Sequence, residues 1–135
     1  MNANLPTDVL TIREMCETYD VTPRTLRFYE SKELLSPLRQ GTRRLFTKSD
    51  RARLTLILRG KRFGFSLEDI RQLLDLYDRD GSQETQLIRT YDVARARLTQ
   101  MEAQRDELNE AISELKDQLV WGAEVLASFR KAAAE

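Results

Sequence analysis

The sequence predicts a mainly α-helical protein, with a winged helix-turn-helix head followed by one long helix built to pair with a second chain. Three observations carry this expectation. Two short amphipathic segments flank a tight turn near residue 20, an arginine-rich stretch with a central glycine follows them, and from residue 83 onward apolar residues recur in heptads uninterrupted by proline. The expected boundaries are a head over residues 1–80, a dimerisation coiled-coil helix over 83–121 and a short tail over 122–135.

In the head, Ile12, Met15, Cys16 and Tyr19 recur at i, i+3, i+4 and i+7, which puts them on one helical face, and Thr11 ahead of them offers a capping oxygen. Asp20 and Val21 turn the chain. Thr22-Pro23 opens a second helix, because threonine caps and proline at the first helical position forfeits no needed donor. Leu26 and the rings of Phe28 and Tyr29 are expected in the core, leaving Arg24, Thr25, Arg27 and Ser31 outward. After Leu34-Leu35-Ser36-Pro37, residues 38–46 predict a two-stranded wing turning at Gly41 and leaning on the helices through Leu38, Leu45 and Phe46. Thr47-Lys48-Ser49-Asp50 has the form of a capping box with aspartate in place of glutamate, and the helix it starts should run to Phe63, where Gly64 stops it. Ser66-Leu67-Glu68-Asp69 repeats the device for a fourth helix, with Leu67, Ile70, Leu73, Leu74 and Tyr77 inward and a break over residues 78–82.

The long helix carries Leu87, Tyr91, Ala94, Leu98, Met101, Leu108, Ile112, Leu115 and Leu119 at alternating four- and three-residue steps. A seam of that length exceeds what the small head can cover, so a partner helix is expected. Arg105 alone interrupts it, either fixing register or orientation or snorkelling to solvent. Beyond Leu119 the pattern weakens through Gly122, Leu126 and Phe129, and the Ala-rich end is expected to pack on the partner or fray.

Composition excludes several function classes. Hydrophobic residues are 41% and charged residues 33% of the chain, and no apolar run approaches the roughly 20 residues that cross a bilayer. The first residues lack a basic start and apolar block, so a cytoplasmic location is expected, with no membrane partner. Cys16 is the single cysteine and there is no histidine, which rules out an internal disulfide and an ordinary zinc site within one chain. Without a histidine, a glycine-rich phosphate loop or a nucleophile–base set, neither an enzyme nor a bound cofactor is expected.

The net charge of zero conceals a polarity. Residues 24–62 hold twelve Lys/Arg against three Asp/Glu, whereas residues 63–135 hold nine against fifteen. A basic surface on a helix-turn-helix points to double-stranded DNA. A helix laid in the major groove offers its early outward side chains to base edges, here Arg24, Thr25 and Arg27. Guanidinium groups fork onto guanine or phosphate, and threonine meets a thymine methyl or donates to phosphate. The Tyr29 hydroxyl is expected to reach a phosphate, the wing arginines the backbone or minor groove, and Lys61 either a phosphate or the helix dipole.

Four strings taken together resemble the MerR family of bacterial transcriptional regulators. They are Val21-Thr22-Pro23-Arg24-Thr25-Leu26-Arg27-Phe28-Tyr29-Glu30, Leu34-Leu35-Ser36-Pro37, Arg44-Leu45-Phe46-Thr47, and Lys61-Arg62-Phe63-Gly64-Phe65-Ser66-Leu67-Glu68-Asp69-Ile70, spread in order over residues 10–78. The resemblance implies a homodimer joined by an antiparallel coiled coil on a pseudo-palindromic promoter site. It also implies distortion of an overlong spacer so that RNA polymerase can engage both promoter elements. By position it makes Arg24, Arg27, Tyr29, Arg39 and Arg44 DNA contacts, with Thr25, Phe28, Arg43 and Lys61 as secondary ones.

Three departures refine this. Glu33 stands where the family commonly ends the recognition helix with glycine, so the turn either avoids a left-handed residue or carries strain of about 1 kcal/mol. The wing is one residue shorter than in metal-responsive members and looks like the LiuR-like branch linked to branched-chain amino-acid and acyl-CoA catabolism. The cysteine pairs of metal sensors are absent, and Cys16 reads as a small core residue, so metal sensing is not expected. No effector is specified, although the apolar tail around Trp121, Leu126 and Phe129 could form a small intersubunit pocket. The competing reading is an architectural DNA-bending or excisionase-like recombination factor, against which the long heptad helix argues.

Overall fold

The computed structural model describes residues 8–78 and 84–135. In order, the elements are β1 (Leu10–Thr11), α1 (Ile12–Tyr19), α2 (Pro23–Ser31), β2 (Leu38–Gln40), β3 (Arg43–Phe46), α3 (Lys48–Phe63), α4 (Leu67–Asp78) and α5 (Glu84–Ala134). They form two compact units, the first ending at Val93 and the second spanning Ala94–Glu135.

Each helix of the head starts on a side chain that satisfies an otherwise orphaned backbone donor. Thr11 and Glu14 close a reciprocal capping box on α1, Thr22 caps α2 with Pro23 at its first position, and Thr47 and Asp50 do for α3 what Thr11 and Glu14 do for α1. Ser66 Oγ accepts from Asp69 N at 3.1 Å while Asp69 accepts from Ser66 N at 3.2 Å, which starts α4. Helix α3 stops at Gly64, φ +82, where Phe65 N donates to Gly60 O and Gly64 N to Lys61 O, the paired bonds of a Schellman end.

The expected two-stranded wing is part of a three-stranded antiparallel sheet in the order β1-β3-β2. Leu10 and Thr11 pair with Phe46 and Leu45, so the residues leading into α1 tie the wing to the head. Two residues are too few to show any periodicity, which hid β1 in the sequence. The β2–β3 hairpin turns through Gly41 and Thr42, with Gly41 at φ +63 and Gln40 paired to Arg43. Glycine is favoured at the first position of such a two-residue turn because an L side chain would crowd the backbone there.

The core joins Met15 of α1, Leu26 and Tyr29 of α2, Leu34 and Leu35 from the segment after α2, Phe46 of β3, Leu54 and Ile57 of α3, and Ile70 and Leu74 of α4. Each such buried side chain contributes roughly 1.5–3 kcal/mol. Gly60 lets α3 and α4 approach, since a Cβ there would lie 2.8 Å from Ile70 Cγ1. Tyr77, expected inward, is exposed, and Leu76 is buried in its place. Leu76 continues the stripe of Asp69, Gln72 and Leu73, so α4 buries a wider arc than the Ile70–Leu74 stripe alone.

The long helix α5 has 51 residues and none is buried. It passes unbroken through Gly122, where a short tail was expected to begin, because a single glycine costs only about 1 kcal/mol relative to alanine and the following residues favour helix. Leu87, Tyr91, Ala94, Leu98, Met101, Leu108, Ile112, Leu115 and Leu119 are all exposed, Leu108 and Leu115 at 61%. Among the described residues no helix is long and apolar enough to cross a membrane.

Candidate nucleic-acid interface

Helix α2 presents Arg24, Arg27 and Phe28 to solvent on the side opposite Leu26 and Tyr29. Thr25 is half-buried and its hydroxyl shares a 2.9 Å hydrogen bond with Thr22 Oγ1, so it belongs to the cap. Of the two aromatic rings expected in the core, Tyr29 is enclosed and Phe28 is not. Phe28 is 43% exposed, with Lys32 Nζ 5.7 Å from its ring centroid, whereas Tyr29 is 1% exposed and its hydroxyl is buried without a hydrogen-bond partner among the described residues. In this conformation the Tyr29 hydroxyl is closed off from a phosphate. The adjacent rings pack at 5.7 Å with planes inclined by 55°.

The wing is fastened to α2 by one carboxylate. Glu30 Oε2 accepts from Arg44 Nε at 2.6 Å and Glu30 Oε1 from Arg39 Nη2 at 2.7 Å. Arg39 and Arg44 are direct cross-strand partners, and like charges so placed repel unless something lies between them. Glu30 supplies that charge. Burial pushes the Glu30 carboxyl up, but hydrogen bonds and charge from Arg44 and then Arg39 outweigh it and hold it below the usual glutamate range. Arg43 is exposed on β3, and its charge reaches Glu14 in the first turn of α1. Lys61 is exposed in the last turn of α3.

Behind α2 the chain turns through Glu33, which adopts φ +61. Glu33 N donates to Glu30 O and Leu34 N to Tyr29 O, both at 2.9 Å, so Glu33 occupies the left-handed position of a Schellman end and accepts the strain. Three side chains from outside α2 hold this turn. Arg71 Nη2 donates to Lys32 O at 2.7 Å, Arg53 Nε to Leu34 O at 2.9 Å, and Asp50 Oδ1 accepts from Ser36 N at 3.0 Å. Glu30, Arg53 and Arg71 escaped the sequence reading because their partners lie on other elements.

Cys16 is half-buried against the core, and burial pushes its thiol up despite the nearby Arg27 charge. A thiol so held is a poor thiolate. Among the described residues no three acidic, cysteine or histidine side chains come together as a metal site would require.

A capped helix-turn-helix, a wing clamped to its second helix and a basic outer face define a DNA-binding regulator of the winged helix-turn-helix class. The chain matches the family described as MerR HTH family regulatory protein over residues 10–77 and that described as MerR, DNA binding over residues 51–118. It belongs to the MerR family of transcriptional regulators. It is similar to the HTH-type transcriptional regulator HmrR of Rhizobium leguminosarum bv. viciae, with 33% identity over 102 residues covering 75% of this chain and 77% of that one. The HTH-type transcriptional regulator ZntR of Escherichia coli is 40% identical over 67 residues, 48% of each chain, so the match spans about half the length of that relative. Among solved structures, a MerR-family transcriptional regulator from Bacillus cereus has a TM-score of 0.64 at 27% identity, covering 81% of this chain and 78% of that one.

Proposed function

We propose that the chain binds a pseudo-palindromic promoter site as a homodimer and controls transcription by distorting the spacer DNA, engaging RNA polymerase only through the promoter. The observation that carries this reading is the Glu30 clamp, which joins the basic residues of α2 and those of the wing into one surface. Arg24 and Arg27 read base edges or grip phosphate from α2, with Thr25 and Phe28 beside them. Arg39, Arg43 and Arg44 serve the flanking backbone, and Lys61 adds a phosphate contact from α3. Tyr29 supports this face from within, its ring under Phe28.

The head, residues 1–80, reads DNA, and the seam from Leu87 to Leu119 pairs with a second copy as an antiparallel coiled coil. The exposure of every seam residue supports that division, since monomeric proteins seldom leave so long an apolar stripe in water. The lone, half-buried Cys16 and the absence of histidine support a regulator outside the metal-sensing branch. The short wing favours the LiuR-like group, and with it genes of branched-chain amino-acid or acyl-CoA catabolism.

The test uses a duplex selected from a random pool by the wild-type chain. Arg27→Ala should weaken binding to that duplex by about 1–3 kcal/mol at fixed salt while the head stays folded. Unchanged affinity removes Arg27 from the interface. A footprint lying between the two promoter elements, with altered transcription, supports the regulatory reading over a purely architectural one.

A further inference from the structure

The turn that ends α2 is tied to the far end of α4 by a single guanidinium. Arg53, on α3 and 17% exposed at its side chain, donates through Nε to Leu34 O at 2.9 Å and through Nη1 to Asp78 Oδ2 at 2.6 Å. Asp78 is the last residue of α4, and α5 begins at Glu84. Leu34 N in turn donates to Tyr29 O, inside α2. A continuous path of three hydrogen bonds therefore runs from the end of α4 through Arg53 and Leu34 into the helix that presents Arg24 and Arg27.

Arginine suits this place for a geometric reason. Its rigid fork serves two acceptors in different directions at once, a carbonyl through Nε and a carboxylate through Nη1, which a lysine ammonium on a flexible stem does not reproduce in one fixed geometry. Asp78 orients the fork, and the fork orients the turn. Glu33, held at φ +61 beside Leu34, makes the turn a strained segment that needs such outside support.

We infer that Arg53 and Asp78 are positioning residues for DNA recognition: they fix the recognition helix relative to the end of α4. Neither needs to touch DNA. The inference rests on the proposed interface on α2, and its test separates the two.

The full chain is compared with Arg53→Lys, Asp78→Ala and the double variant Arg53→Ala/Asp78→Ala beside Arg53→Ala. Two readouts are taken at a temperature where all are folded by near-ultraviolet circular dichroism. The first is hydrogen exchange at the Leu34 amide relative to amides in the middle of α3. Asp78→Ala should accelerate exchange at Leu34 by about tenfold while leaving the α3 amides unchanged, because only the local opening is eased. The second is affinity for the pool-selected duplex. Arg53→Ala and Asp78→Ala should each weaken it by about fivefold, and the double variant should be no weaker than Arg53→Ala alone, as expected of residues acting through one path. Arg53→Lys should behave like Arg53→Ala.

Unaltered Leu34 exchange in Asp78→Ala overturns the path. So do losses of affinity that add in the double variant, or full affinity in Asp78→Ala beside a weakened Arg27→Ala. If Arg27→Ala binds as well as wild type while Leu34 exchange responds to Asp78→Ala, the path stands and the proposed interface on α2 falls.

Discussion

Arg44 Nε meets Glu30 Oε2 at 2.6 Å, so the most shielded arginine of the wing is bound to the recognition helix before any ligand arrives. Arg39 takes the other oxygen of the same carboxylate, and the wing's position is thereby set by a residue of α2.

Glu30→Gln should therefore lower the stability of the head by about 1.5 kcal/mol, the figure for charge-assisted hydrogen bonds in a mostly shielded place, with Arg39 counted little because its side chain is half exposed. Urea unfolding followed by circular dichroism reads this. The folded-state carboxyl titrates below its unfolded value, so its contribution is complete above about pH 4.3 and disappears as pH falls through the lower folded-state value. Wild type should lose stability on acidification more steeply than Glu30→Gln; parallel curves would show that the clamp carries no linked proton.

At the end of α2, replacing Glu33 with glycine should raise stability by about 0.5–1 kcal/mol, because the φ of +61 costs an L residue more than the extra freedom of glycine costs the unfolded chain. A denaturation midpoint at or below wild type would mean that the Glu33 side chain offsets its backbone strain.

Gly60 sits inside α3, where alanine is ordinarily the better helix former by about 1 kcal/mol. Here the added methyl would fall 2.8 Å from Ile70 Cγ1, itself fully buried, and overpacking should outweigh propensity for a net loss of about 1 kcal/mol. A stabilised Gly60→Ala would show that α4 yields freely.

Ile112→Glu places a carboxylate within the seam of α5. On the proposed pairing of two copies through this seam, an unpaired charge buried at each of two symmetric positions should leave the chain monomeric at micromolar concentration without altering the circular dichroism of the head. Sedimentation velocity decides, and an intact dimer would move the interface off the seam.

The sequence was most legible where the physics is local. Thr11, Thr22, Thr47 and Ser66 each cap the helix that follows within three residues, and Gly64 ends α3 as its left-handed tendency requires. Legibility failed where the third dimension chooses between neighbours. Phe28 and Tyr29 are one residue apart, about 100° around the helix, and only the way α2 packs into the core decides which ring is enclosed. The same holds for Leu76 and Tyr77. Glu30 carries no sequence mark of its role, since its partners stand nine and fourteen residues away on strands. Whether Glu33 avoids or accepts a left-handed backbone is likewise settled by the bonds around it, from Arg53, Arg71 and the two amides of the turn.

The shared carboxylate also bears on how this surface trades ions with a duplex. Affinity for DNA ordinarily falls with salt in proportion to the phosphates neutralised, because each displaces condensed cations. An arginine that reaches a phosphate by leaving Glu30 exchanges one anion for another and exposes a carboxylate to the DNA's own field. On the proposed interface Arg39 and Arg44 therefore contribute less to the electrostatic pull than their charges suggest, and the salt dependence of binding should report chiefly on Arg24, Arg27, Arg43 and Lys61.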